Sequence, residues 1–310
     1  MRGFAEAVRL ASPLFVLAAL GYALGRRPRW SAAADPLTTF VFRVALPASL
    51  FRLLSAPAAA AGVDARLLIA FFGGCGVVFV VGRLIGRFVL RLDGVEQSVL
   101  ALGGVFSNNL LLGLPLAATL LGHAAVPAVA LVLVFNSLTL WTLATASVEW
   151  ARQGSVSARG VADTVRAVLT TPVVVGILAG GALGLTGRTL PQVVDAPLGL
   201  LAGTAAPLAL VALGMGLARY DVREGWAATV AICGLKLLVQ PAVVWALAVA
   251  IGLPALETRA VVLLASLAVG ANVYVMAQEF RALRGPVAAS LVLSTALAAL
   301  TTPAWLAFVG

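Results

Sequence analysis

Ten long apolar runs, each closed by arginine, proline, glycine or a short polar turn, constrain this chain more than any single motif in it. They cover residues 5–25, 35–55, 66–90, 96–121, 125–149, 166–186, 193–218, 226–252, 258–280 and 286–308. A helix needs about 20 mostly apolar residues to cross some 30 Å of hydrocarbon, and each run is long enough. Over the whole chain 62% of residues are apolar and 11% charged. A water-soluble domain needs polar side chains to wet its exterior, and there are too few here for 310 residues. The reading is therefore an all-α polytopic membrane protein with the lipid bilayer as its solvent. Arg2 and Arg9 before an apolar stretch resemble the start of a signal peptide, but that stretch continues to Gly25 and meets Arg26, Arg27 and Arg29, so a retained first span is expected. Cys75 and Cys233 fall inside apolar runs and read as small packing groups.

The net charge of +9 would elsewhere suggest nucleic acid. Here the basic residues sit in short loops, where they report orientation, and no nucleic-acid partner is expected. The loops after runs 1, 3, 5, 7 and 9 carry 13 of them: Arg26, Arg27, Arg29, Arg83, Arg87, Arg91, Arg152, Arg159, Arg166, Arg219, Arg223, Arg281 and Arg284. The opposite side carries six: Arg2, Arg9, Arg52, Arg66, Arg188 and Arg259. This places the odd loops in the cytoplasm, both termini outside, and the protein in the cytoplasmic (inner) membrane.

The polar stretch from Glu149 to Arg166 divides the chain into halves, 1–155 and 156–310, of five runs each. Five is odd, so two such halves would be related by inversion, a recurring design of secondary transporters. A faint internal echo agrees: Pro47 with Pro207, Cys75-Gly76 with Cys233-Gly234, and Gly113 with Gly270, at offsets of 160, 158 and 157 residues.

The fourth run reads Gly103-Gly-Val-Phe-Ser107-Asn108-Asn109-Leu-Leu-Leu-Gly113-Leu-Pro115-Leu. Two adjacent carboxamides and a proline at mid-depth are costly in hydrocarbon, because proline removes a backbone hydrogen bond and unpaired polar groups there cost several kcal/mol. A broken helix facing protein or a wet cavity satisfies them; a Pro-kinked packing helix is the plainer alternative. In the ninth run, Ser266-Leu-Ala-Val-Gly270-Ala-Asn272-Val-Tyr274 repeats the glycine and asparagine without the proline. Two half-helix N-termini at the midplane would each offer free N–H groups and partial positive charge, which suits a carboxylate. No acidic residue is placed at mid-depth to bind a cation or carry a proton. Lys236 and Arg43 fall inside runs, where an ionisable group is functional by default, although both have stems long enough to snorkel. Asn136, in the fifth run, is a further donor. His123 lies in an outer loop and reads as solvated. The glycine stripes Gly176/Gly180/Gly184 and Gly82/Gly86 read as close packing within the chain, with a homodimer face as the alternative.

Read together, these segments resemble the auxin efflux carrier family. The resemblance is carried by Val41-Phe-Arg-Val-Ala-Leu46-Pro47-Ala-Ser-Leu-Phe51, by Ser107-Asn108-Asn109 through Gly113-Leu-Pro115-Leu, by Ala206-Pro207-Leu-Ala-Leu through Leu213-Gly214-Met-Gly216, by Lys236-Leu-Leu-Val-Gln-Pro241 and by Asn272-Val-Tyr-Val-Met-Ala277. It spans nearly the whole chain. It implies ten transmembrane helices in two inverted five-helix repeats with broken crossover helices 4 and 9, a fold similar to that of bile-acid sodium symporters. Spans 1, 2, 6 and 7 would form a scaffold, and spans 3–5 and 8–10 a transport domain. The family's crossover asparagines fall on Asn108, Asn109 and Asn272, and its first crossover proline on Pro115. At the second crossover Ala268 stands where the proline would be, which leaves the shape of that break open. The long cytoplasmic loop of plant members is absent, so the chain resembles a short prokaryotic member.

The expectation is a secondary transporter that exports a small organic anion by an elevator-like movement. Asn108, Asn109, Asn136, Asn272 and Lys236 would hold the anion, with apolar walls near Pro47 and Pro207 and hinges at Gly113, Pro115 and Gly270. No cofactor or metal is expected. Sodium- or proton-coupled import on the same fold, or a ligand-sensing module without turnover, are the alternatives. An intramembrane enzyme is disfavoured, because no mid-depth histidine, paired aspartates or ligand cluster is present.

Overall fold

The computed structural model describes residues 2–55, 64–153, 166, 169–170, 172–219 and 225–310. Among them the chain is helical throughout, and the sole strand-like pairing is one isolated antiparallel bridge, Ser107 with Val269. We label the helices α1 (Arg2–Gly25), α2 (34–54), α3 (Arg66–Val89), α4a (Gly94–Val105), α4b (Asn109–Leu120), α5 (Val126–Gln153), α6 (Pro172–Leu185), α7 (Gln192–Leu217), α8 (Trp226–Ile251), α9a (Ala255–Ser266), α9b (Ala271–Phe280) and α10 (Arg284–Val309). Four of them, α3, α7, α8 and α10, are by length and composition able to cross a membrane. The boundary expected at 155/156 lies outside the described residues.

Local sequence explains where the helices start and bend. The first turn of α4a is closed by a capping box: Asp93 accepts from the Val95 and Glu96 amides at 2.9 and 2.8 Å, and Glu96 accepts from the Asp93 amide at 3.2 Å. Three wide, i→i+5 turns, Val41–Ala45, Asn109–Gly113 and Leu235–Val239, each run into an Xaa-Pro pair: Leu46-Pro47, Leu114-Pro115 and Gln240-Pro241. Proline has no N–H to give and its ring crowds the carbonyl four residues back; a widened turn makes room for it. In α8 the carbonyl so freed, Leu237 O, accepts instead from the Trp305 indole of α10 at 2.9 Å.

Small residues set how closely helices approach. α1 lies along α7, and a Cβ on Gly214 would fall on the backbone of Ala18 and Tyr22. α6 lies on α2, where a Cβ on Gly176 would stand 2.7 Å from Pro47 O. Gly82 and Gly86 of α3 face Ala101 and Gln97 of α4a in the same way. These described glycines are therefore used for packing within the chain. α2 also packs on α7, α3 on α4a and α8, α8 on α9a, and α10 on α1, α8 and α9a. Large apolar side chains such as Phe88, Leu185, Val193 and Leu200 remain exposed on the outside, as a lipid-facing surface requires. Phe71, Leu100, Leu102, Leu112 and Leu210 are fully enclosed.

Candidate functional site

The two interruptions meet. The first helix stops at Val105 and resumes at Asn109; the second stops at Ser266 and resumes at Ala271. Across the gap the Asn108 amide donates to Ala268 O at 2.9 Å and the Gly270 amide donates to Phe106 O at 2.7 Å. A Cβ on Gly270 would stand 2.9 Å from Ser107 O and 3.0 Å from Phe106 Cδ1, so the crossing needs glycine there. The second break forms without a proline because other elements satisfy its backbone. Thr302 of α10 donates to Ser266 O at 3.0 Å, Ser294 of α10 accepts from the Val269 amide at 3.0 Å, and Lys236 Nζ donates to Ala265 O. The first break lies upstream of Gly113 and Pro115, which sit inside α4b. Gly113 packs under Leu264 and Leu267, whereas Gly270 sits at its own break. The Gly113/Gly270 echo in the sequence therefore does not mark equivalent positions.

Lys236 and Gln240 stand one turn apart on α8, and each serves one broken helix. Gln240 Nε2 donates to Val105 O at 2.8 Å, at the end of α4a, while Lys236 reaches the end of α9a. Both are fully buried. A cation at a helix C-terminus meets the negative end of the backbone dipole, and the two side chains supply donors to helix ends whose last carbonyls lack them. Sequence reasoning marked Lys236 but passed over Gln240, whose only signal was its place one turn further along the same helix face.

Polar atoms left over gather around the first break. Asn109 Nδ2 donates to Asn136 Oδ1 of α5 at 3.2 Å, joining two of the expected residues. Asn108 (6% exposed), Asn109 (2%), Asn136 (3%) and Ser107 (2%) are all buried. Among the described residues Ser107 Oγ, Asn108 Nδ2, Asn109 Oδ1 and Gln240 Oε1 nevertheless make no hydrogen bond. Leaving several buried donors and acceptors unpaired in one place is destabilising, and a bound polar ligand removes the penalty. Asn272 stands half-buried in the first turn of α9b.

Beside the broken helices a cleft of about 650 Å³ opens between α2, α4b and α7. Leu46, Ser49, Arg52 and Ser55 of α2, Leu114, Pro115 and Ala118 of α4b, and Asp195, Gly199 and Ala206 of α7 line it. Pro115 is thus brought to the cleft. Pro47 and Pro207 are not; their neighbours Leu46 and Ala206 take that place, with Pro47 turned to α6 and Pro207 exposed. Arg43 is exposed and does not line the cleft. His123, expected to be merely solvated, is exposed but also lines the cleft.

An all-helical chain with long apolar helices and interrupted helices meeting inside it has the form of a membrane transport protein. A family model described as "Membrane transport protein" matches residues 8–306. A Rhizobium meliloti (strain 1021) protein bearing the name "Putative malonate transporter" is 30% identical over 304 residues, covering 96% of this chain and 94% of that one. The chain therefore belongs to this membrane transport family, the auxin efflux carriers, and is a multi-pass membrane transporter, not an enzyme.

Proposed function

We propose that the protein exports a small organic anion across the cytoplasmic membrane, with a dicarboxylate such as the malonate of its relative's name as the first candidate. The observation that carries this reading is the group of unpaired buried polar atoms at the crossing of the two breaks, the donors Ser107 Oγ and Asn108 Nδ2 among them. Ser107 Oγ, Asn108 Nδ2 and the opening amides of α4b and α9b offer hydrogen bonds and partial positive charge to a carboxylate. Asn136 orients Asn109, Asn272 lies at the start of the opposing half-helix, and Lys236 holds the second break in shape.

In this reading the chain has ten spans in two inverted halves, and both termini lie outside. Helices α1, α2, α6 and α7, which pack on one another, form a scaffold. Helices α3–α5 and α8–α10 carry the crossing as one body, and sliding of that body past the scaffold exposes the anion to each side in turn. With both termini outside, the cleft between α4b and the α2/α7 pair lies along that sliding surface and opens to the outside.

Replacing Asn108 or Asn109 with Ala tests the site. Uptake of labelled malonate into inverted vesicles is expected to vanish while the protein still purifies as a folded monodisperse species; unchanged uptake would remove the crossing as the binding site. Sodium-coupled import on the same fold draws on Asn109 Oδ1 and Gln240 Oε1, two oxygens left free at the first break. Dependence of flux on a sodium gradient in proteoliposomes separates the two readings.

A further inference from the structure

We infer that the cleft contains a second anion-binding site, built on Arg52, which holds the carboxylate of a solute on its way to or from the broken helices. This rests on the reading that the chain carries organic anions. Ser49, Arg52 and Ser55 follow one another at three-residue steps along α2, so they share the helix face that lines the cleft. The arginine is held in place by α7. Asp195 takes its side edge, accepting from Nε at 2.7 Å and from Nη2 at 3.0 Å. One turn on, Gly199 gives the guanidinium a seat: a Cβ there would stand 3.2 Å from Arg52 Cζ and 3.3 Å from Nε.

A guanidinium has five N–H donors, and this grip uses two of them. Among the described residues Nη1 makes no hydrogen bond, so the Nη1/Nη2 fork is free to take a carboxylate in the paired geometry that arginine favours. The cleft wall supplies Ser49 as a further hydrogen-bonding group, and His123 and Thr189 also line it.

Asp195 gives the site its particular character. It orients the fork, and its negative charge keeps the grip on an anion loose. A pathway site must bind well enough to be entered and weakly enough to be left. Helix α4b joins the two places: it opens at the crossing with Asn109, and Leu114, Pro115 and Ala118 further along it line the cleft.

The site serves only the face onto which the cleft opens, and sidedness is its signature. In right-side-out and inverted vesicles with labelled malonate, Arg52→Gln is expected to raise KM about tenfold at one face and leave the other unchanged, through loss of one charged hydrogen-bonded contact. Arg52→Lys, which keeps the charge without the fork, should fall between. Asp195→Asn should lower KM at that same face. An equal shift at both faces, or none at either, overturns the Arg52 site while leaving the crossing intact. Absence of wild-type malonate flux at both faces overturns the proposed function, and this site with it.

Discussion

Single side chains decide the shape of the crossing. Thr302 shows this most simply, because its hydroxyl on α10 is fully buried and donates to Ser266 O, one of the orphan carbonyls at the end of α9a. Thr302→Val keeps the shape and removes only that donor. An unsatisfied buried acceptor costs about 1–3 kcal/mol, so the purified variant should melt measurably lower; an unchanged melting temperature would mean the carbonyl finds another partner. Lys236 acts in a similar place with a charge. In the sequence it was one of two basic residues inside apolar runs and suggested an anion path or its support; its acceptor in the structure is the Ala265 carbonyl. The pairing of Asn109 with Asn136 was hidden in the same way, since the two are 27 residues apart and meet only once α5 packs beside the break.

At the level of helices, the two breaks reach one arrangement by different chemistry. Proline and a widened turn mark the first; at the second, the side chains of α8 and α10 stand in for proline. The backbone at the second break is already compatible with the missing residue. Leu267 is extended, with φ −68° and ψ 163°, the conformation favoured before proline. The Ala268 amide makes no hydrogen bond among the described residues. Ala268→Pro is therefore expected to fold, keep its melting temperature within a few degrees and retain transport. Loss of the folded protein would show that the Ala268 amide or its tight surroundings carry more than the backbone suggests. Helix positions were legible in the sequence for a plain reason. Apolar length is set by the membrane and by the chain itself, so the expected runs at 66–90, 193–218 and 226–252 fall within a residue of α3, α7 and α8.

For the molecule as a whole, the membrane itself supplies a driving force. Moving one negative charge outward across an inside-negative membrane gains about 2.3 kcal/mol per 100 mV. In the proposed export the moving body carries no mid-depth acid, so a single-charged anion should respond to that field directly. A potassium diffusion potential set with valinomycin should accelerate anion efflux when the interior is negative and slow it when the sign is reversed. Flux indifferent to the potential would point to an accompanying cation and hence to coupled transport. The exposed Phe88, Leu185, Val193 and Leu200 and the inward Phe71 and Leu102 fit the same setting, with apolar side chains facing lipid outside and one another inside.

What the sequence determined alone was the helical class, the membrane setting, the family and the two segments where helices would be interrupted. Those follow from composition and from order along the chain, because hydrocarbon forces each run to satisfy its own backbone. Only the tertiary structure decided which atoms at the breaks are paired and which are left over, that Gln240 and Lys236 each serve one broken end, and that Arg52 lies in a cleft against Asp195. These depend on groups brought together from different runs, some more than a hundred residues apart, as Gln240 with Val105 and Arg52 with Asp195. Such meetings are set by how helices pack, and packing in a chain of alanine, leucine, valine and glycine leaves no periodic mark from which a partner can be read.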